Sequence, residues 1–188
     1  MRVIAGKFRS RSLRALPGLE TRPTYDRLKE TLFNVLAAAG NLEGAAFIDL
    51  FAGTGSIGIE ALSRGAAQVY FVESSRRAVR VIRENLAALQ ITEGCEILQK
   101  RATEALLELA ARQVRCRFCF LDPPYGMHGA YEEVLSLIAG LELLGECGLV
   151  VAEHDKHFDP GEGVGLLRRC RCLRQGESTL SFYAFERR

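Results

Sequence analysis

Two short segments of this 188-residue chain hold residues whose types and spacing could do chemistry. Asp122-Pro123-Pro124-Tyr125 supplies a carboxylate, two peptide units without an N–H, and an aromatic ring. Proline fixes its own φ and removes a donor, so this segment offers a ligand acceptors and a stacking surface. That inventory fits the exocyclic amine of a flat heterocycle. The Asp122 carboxylate and a neighbouring main-chain carbonyl would accept from the NH2, and Tyr125 would stack on the ring. The plainer reading of the same residues is a Pro-Pro loop with a capping aspartate.

The second segment is Asp49-Leu50-Phe51-Ala52-Gly53-Thr54-Gly55-Ser56-Ile57-Gly58. Glycines after a strand let the backbone approach a ligand, and the helix that follows offers unpaired N–H groups. Gly53 to Gly58 also satisfies G-x-G-x-x-G, so a dinucleotide site has to be weighed. Asp49 stands just before the loop, where it would oppose a pyrophosphate but suit a ligand with a cationic amino group. Glu73 closes the next strand where a ribose-binding acid belongs, which serves both readings.

These residues need a scaffold that brings them to one edge, and the rest of the chain predicts it. Apolar positions Leu28, Leu32, Val35, Leu36 and Ala39 recur at three- and four-residue spacing, so a helix follows Thr24 and ends at Gly40. Strand-like runs fall at 45–50, 68–73, 95–98, 116–121 and 148–153. Between them lie helical stretches after Gly55, after Ser74 or Ser75, from about Thr103 to Arg112, and from Tyr131 to Leu141. Leu166–Leu173 and Thr179–Phe185 are two further strand-like runs around a turn at Gln175-Gly176-Glu177. The expected fold is α/β: a mostly parallel sheet with helices on both faces and an antiparallel C-terminal hairpin. Residues 1–23 are expected outside this body as a basic extension, with Val3-Ile4 and Ser12–Ala15 forming a small hairpin, and 24–188 as a single domain.

Composition bounds the rest. With 48% apolar and 26% charged residues the chain matches a globular protein, and one domain of this length buries roughly 70% of its unfolded surface. No apolar run approaches the ~18 residues of a membrane span, and Met1–Lys7 lacks the apolar stretch of a secretory signal, so a cytoplasmic protein is expected. The net charge of +2 hides an asymmetry. Residues 1–29 hold eight Lys or Arg against Glu20 and Asp26, a local charge of +6, and the remainder carries −4. A basic end on a mildly acidic body points to a polyanion as partner. Cys116 and Cys119 have metal-type spacing, but a strand would aim their sulfurs apart. With no knuckle turns around Cys170-Arg171-Cys172, the six cysteines read as buried free thiols and no metal is expected.

Asp49-x-Phe-Ala-Gly-x-Gly followed by Asp-Pro-Pro-Tyr resembles the signature pair of Rossmann-like, S-adenosylmethionine-dependent amino-methyltransferases. Three further blocks are similar to the bacterial 16S rRNA guanine-N2 methyltransferase family, the small-subunit rRNA methyltransferases D. They are Arg2–Leu13, Arg22-Pro-Thr-x-Asp-Arg-x-Lys-Glu30 with Phe33-Asn34, and Glu60–Ala66. The resemblance spans essentially the whole chain.

It implies that Asp49 and the loop Phe51, Ala52, Gly53, Thr54 and Gly55 hold the methionine half of S-adenosylmethionine. Glu73 would take the ribose hydroxyls, and Ser74 would lie beside the adenine. Where the family has an acidic residue near the adenine amine, this chain reads Lys100-Arg101-Ala102, so recognition by Arg101 and Ala102 would rest on main chain or stacking. Asp122, Pro123, Pro124 and Tyr125 would hold the target guanine. The basic end, through Arg9, Arg11, Arg22 and Arg27, would hold phosphates of 16S rRNA or the small ribosomal subunit. A monomer is expected. An NAD(P)-dependent oxidoreductase would leave Asp122–Tyr125 without a purpose, and a bare RNA-binding module would not need three acids along one sheet edge. A DNA or other RNA amino-methyltransferase shares the chemistry, but so short a chain leaves no room for a separate target-reading domain.

Overall fold

A computed structural model describes residues 1–16 and 23–186. Helix α1 (Pro23–Ala39) opens on a proline, whose missing N–H is not needed in a first turn. Thr24 therefore lies inside the helix and not before it. There follow β1 (Ala46–Leu50), α2 (Ser56–Ser63), β2 (Gln68–Val72), α3 (Arg76–Ala88), β3 (Cys95–Leu98), α4 (Ala102–Ala111), β4 (Cys116–Leu121) and α5 (Gly129–Gly140). The chain ends with β5 (Leu144–Asp155), β6 (Gly163–Val164), β7 (Leu167–Gln175) and β8 (Ser178–Phe185). Ser75 caps α3, its hydroxyl accepting from the Ala78 amide at 3.4 Å.

One eight-stranded sheet runs in the order β3-β2-β1-β4-β5-β8-β7-β6. The pairs β3·β2, β2·β1, β1·β4 and β4·β5 are parallel, and β8, β7 and β6 add antiparallel. The central strands β1 and β4 are short, mostly apolar runs buried on both faces, as crossover helices require. On one face α1, α2 and α3 pack through Leu32, Phe33, Ile57, Ile59 and Ile82 onto Phe47, Phe71 and Phe118. On the other, α4 and α5 pack through Leu106, Leu109, Val134 and Ile138 onto Ile48, Leu121 and Val150. No helix of the described residues is long and apolar enough to cross a membrane.

The order changes direction between β1 and β4, which opens a crevice at the carboxyl ends of the strands. At the far margin β6 covers Leu167 and Arg168 of β7 and the Arg169 amide donates to the Glu162 carbonyl at 2.8 Å, so among the described residues 170–175 form the outer strand edge, which carries Arg171 and Arg174.

Two expectations need correction. The first 14 residues do not stand outside the body, for Val3 and Leu13 are buried in the α1–α3 core. They form the expected hairpin, with Arg2 bridged to Ser12 and the Val3 and Leu13 amides donating to Arg11 and Met1 carbonyls at 3.0 Å. What holds the hairpin down is polar. Glu60 of α2, fully buried, receives the amides of Ile4 (2.8 Å) and Ala5 (3.0 Å), and Lys29 of α1 lies 3.4 Å from it. Lys29 also donates to the Arg2 carbonyl at 2.7 Å. Burial lowers the Lys29 ammonium from its usual range while Glu60 pulls it back. The thiols also differ from expectation. Cys116 and Cys119 are buried and Cys95 is half-buried, but Cys147, Cys170 and Cys172 are exposed. The last two lie in β7 where 170–172 are all exposed beside a register shift between Arg169 and Arg171. Among the described residues no group of three potential metal ligands converges.

Candidate active site

The Gly-rich segment forms a tight turn between β1 and α2. Phe51, Gly53 and Gly55 all have positive φ (60°, 55° and 76°), a conformation that costs glycine little. The strain therefore sits on Phe51. Gly58 has a different reason to lack a side chain: a Cβ there would stand 2.3 Å from the Phe71 ring, so it lets α2 lie close on β2. The turn is braced from three sides. Gly53 donates its amide to Glu73 Oε2 at 2.9 Å, Gly58 donates to Asp49 Oδ2 at 2.9 Å, and Asn85 of α3 donates to the Thr54 carbonyl at 3.0 Å. Glu73 is held at its other oxygen by the Ser75 amide at 2.8 Å.

The register explains why the acids gather. Asp49 is opposite Phe71 and Phe120, Leu50 opposite Val72 and Leu121, and Leu121 opposite Ala152. Glu73, Asp122 and Glu153 are therefore the next residues on their three strands. Burial raises the Asp49 carboxyl to about 7; the Gly58 amide opposes this, and Asp122 and Glu73 add to it. Solvent reaches Asp122 through an open cavity, yet the walls around it raise this carboxyl to about 7 as well.

Two cavities adjoin along the edge. One, of about 120 Å³, is lined by Phe51, Glu73, Ser74, Arg101, Ala102 and Pro124, among others. Lys100 at its rim is ion-paired to Glu108. The second, of about 200 Å³, is lined by Asp122, Pro123, Pro124, Tyr125, Tyr131 and Glu153, with His128 and Phe158 stacked at 4.1 Å in its wall. Pro124 belongs to both. The structure thus brings Phe51, Glu73, Ser74, Arg101 and Ala102 beside Asp122–Tyr125, while Asp49 and Thr54 are buried and line neither cavity. Tyr125 is 93% exposed, its ring open to a stacking partner.

Three residues of this site lay outside the sequence reading. Tyr25 of α1 faces Glu153, Asp122 and Asp49 and bonds to Ser56; burial, then those three carboxylates, push its phenol well above its usual range. Glu153 lines the second cavity, and Tyr131 donates its hydroxyl to the Glu153 carbonyl at 2.7 Å. The rule that picked out Glu73, an acid closing a parallel strand, also applies to Glu153. Tyr25 had no such signal, because its place depends on how α1 crosses the sheet.

Of the arginines expected at a polyanion, Arg9 and Arg11 lie on the hairpin and Arg27 on α1, next to Asp26, which pairs with Arg2 of the hairpin at 3.2 Å. Arg9, Arg11 and Arg27 are exposed, and Arg22 lies outside the described residues. Arg11 donates to the carbonyl of Ala88 at 3.0 Å, one turn along α3 from Asn85, whose side chain reaches the Gly-rich turn.

A crevice ringed by carboxyls suits a ligand that carries a cation and a diol, and it opposes a pyrophosphate. Together with the sheet order, this defines the Rossmann-like fold of the S-adenosylmethionine-dependent methyltransferases. A family model described as "Conserved hypothetical protein 95" matches residues 1–184. The chain belongs to that family, the family of the ribosomal RNA small subunit methyltransferases D. It is 39% identical over 183 residues to the Bacillus subtilis protein named "Putative rRNA methyltransferase YlbH", which covers 97% of this chain and 98% of the relative. It is 36% identical over 157 residues to "Ribosomal RNA small subunit methyltransferase D" of Haemophilus influenzae, covering 83% and 79%. The solved structure described as "Putative methyltransferase yhhF from Escherichia coli" superposes with a TM-score of 0.84 at 28% identity, over 99% of this chain and 98% of the other.

Proposed function

We propose that this protein methylates the exocyclic N2 of a guanine in 16S rRNA, using S-adenosylmethionine. The observation that carries the reading is the adjacency of the two cavities across Pro124, one suited to a charged nucleoside and the other lined by acceptors and an exposed tyrosine. The relatives' names support ribosomal RNA of the small subunit as the substrate class.

Asp49 would pair with the ammonium of the cofactor, and Glu73, already fixed by two amides, would accept the ribose hydroxyls. Phe51, Ala52, Gly53, Thr54 and Gly55 would shape the methionine site, and Ser74, Arg101 and Ala102 the adenine site. When bound, S-adenosylmethionine supplies an electrophilic methyl group on a sulfonium. The N2 lone pair of guanine is delocalised into the ring, so the protein's task is to orient it. Asp122 and the Pro123 carbonyl would accept the two N2 hydrogens, favouring a pyramidal nitrogen aimed at the first cavity. The base must leave its stack to enter, and stacking on Tyr125 offsets about 1–3 kcal/mol of that cost. Arg9, Arg11, Arg22 and Arg27 would hold phosphates of the rRNA. We take the acting unit to be a monomer in the cytoplasm, its first 23 residues serving as the RNA-contacting segment.

The test is incubation with radiolabelled S-adenosylmethionine and small ribosomal subunits, free 16S rRNA or duplex DNA, followed by nucleoside analysis. Label in N2-methylguanosine from the small-subunit substrates is expected. Label in adenine or cytosine, or in DNA, would overturn the base or substrate assignment.

A further inference from the structure

We propose that Glu153 is a base-specificity residue, accepting the N1–H of the target guanine while Asp122 accepts the neighbouring N2–H. The inference rests on the guanine-N2 reading above and deepens it by naming what tells guanine from other amine-bearing bases.

The geometry begins with register. Leu121 and Ala152 are paired across β4 and β5, so Asp122 and Glu153 occupy the next positions on neighbouring parallel strands, which lie about 4.8 Å apart. Both line the same cavity as Tyr125. Glu153 is clamped at both ends: the Tyr131 hydroxyl holds its carbonyl at 2.7 Å, and Ser178 hydrogen-bonds its carboxyl. Such bracing fixes where the side chain can place its oxygens.

No cation is among the groups that perturb either carboxyl. Burial and then the Asp122 charge push Glu153 well above its usual range. Two half-enclosed acids without a cation are costly unless donors reach them. Guanine presents two donors, N1–H and N2–H, side by side on its Watson–Crick edge. Adenine presents an N1 lone pair at that place, which a carboxylate repels. A hydrogen bond from N1–H also draws density toward the ring's N1–C2–N2 edge, which assists the amine. Asp122 alone would accept an amine from any base, whereas the pair reads two adjacent donors.

The test uses small subunits reconstituted with 16S rRNA that carries guanine or 2-aminopurine at the mapped target. The analogue keeps the N2 amine and replaces N1–H with an acceptor. The wild-type protein should favour guanine. Glu153→Gln can turn its amide to donate to the analogue's N1, so it should shrink the guanine preference by about 10–100-fold while melting and binding S-adenosylmethionine like the wild type. A purely structural glutamate would slow both substrates equally. An unchanged preference in Glu153→Gln, or a wild type without preference, overturns the inference and leaves the guanine reading standing. If the wild type does not form N2-methylguanosine at all, the guanine reading itself fails and takes this one with it.

Discussion

Asn85 donates its side-chain amide to the carbonyl of Thr54 at 3.0 Å, which ties α3 to the centre of the Gly-rich turn. The same side chain accepts the Arg14 amide at 2.7 Å and donates to the Arg14 carbonyl at 3.2 Å. One buried carboxamide therefore joins the N-terminal hairpin to the proposed cofactor site.

Asn85→Ala should loosen both at once. Removing one partner strands buried backbone groups, so unfolding should become easier by about 1–3 kcal/mol. Affinity for S-adenosylmethionine should fall with it. Urea melts and calorimetry would check the two effects, and a loss of stability with cofactor binding untouched would show that the turn does not depend on this tether.

Asp122→Ala separates binding from transfer. The side chain lines the second cavity, whereas Glu73 and Ser74 line the first. Cofactor affinity should stay near the wild-type value, while methyl transfer to small subunits falls by about 10²–10³, the scale for removing one oriented group. Filter binding of labelled product gives the rate.

The raised carboxyl of Asp49 predicts a pH dependence of cofactor binding. In the free protein Asp49 carries a proton below about 7. An ammonium binds best to the carboxylate, so binding drives that proton off, and affinity rises with pH until it levels above 7. At pH 6 the affinity should be about tenfold below the plateau, since one pK unit corresponds to a factor of ten. Asp49→Asn should bind weakly and with a flat profile in titration calorimetry.

The arm is best probed by charge reversal. Cutting the hairpin away would remove Val3 and Leu13 from the core and strip Glu60 of two amide donors. Arg9→Glu with Arg11→Glu leaves those contacts in place. RNA affinity should fall and its salt dependence should flatten by about one log-log unit per lost phosphate contact, with cofactor affinity unchanged. Filter binding across a salt series decides it.

Much of the molecule was legible from local pattern. The central parallel strands are short apolar runs, and Asp49, Glu73 and Asp122 could be picked out because Glu73 and Asp122 directly follow one and Asp49 is the last residue but one of another. What local pattern could not carry was pairing at a distance. Lys29 and Glu60 are 31 positions apart and look like surface charges on two helices; only the folded chain shows them buried together under the hairpin. Glu153 was seen as a strand end, but its partnership with Asp122 follows from β4 and β5 being neighbours. Strand β5 itself starts at Leu144, earlier than expected, because the irregular stretch around Cys147, with φ of 58°, keeps it in register after a shift. Two-residue β6 has too little sequence to show any period.

The bare flank of β7 has a bearing on how these molecules behave in company. An unpaired strand margin is a template on which a second copy could add its own strand and begin a fibre. Arg171 and Arg174 along that flank would confront the same charges on any incoming copy, and like charges set opposite one another disfavour the added strand. Electrolyte weakens that mutual repulsion, so self-association through the sheet's end is resisted most strongly in dilute salt.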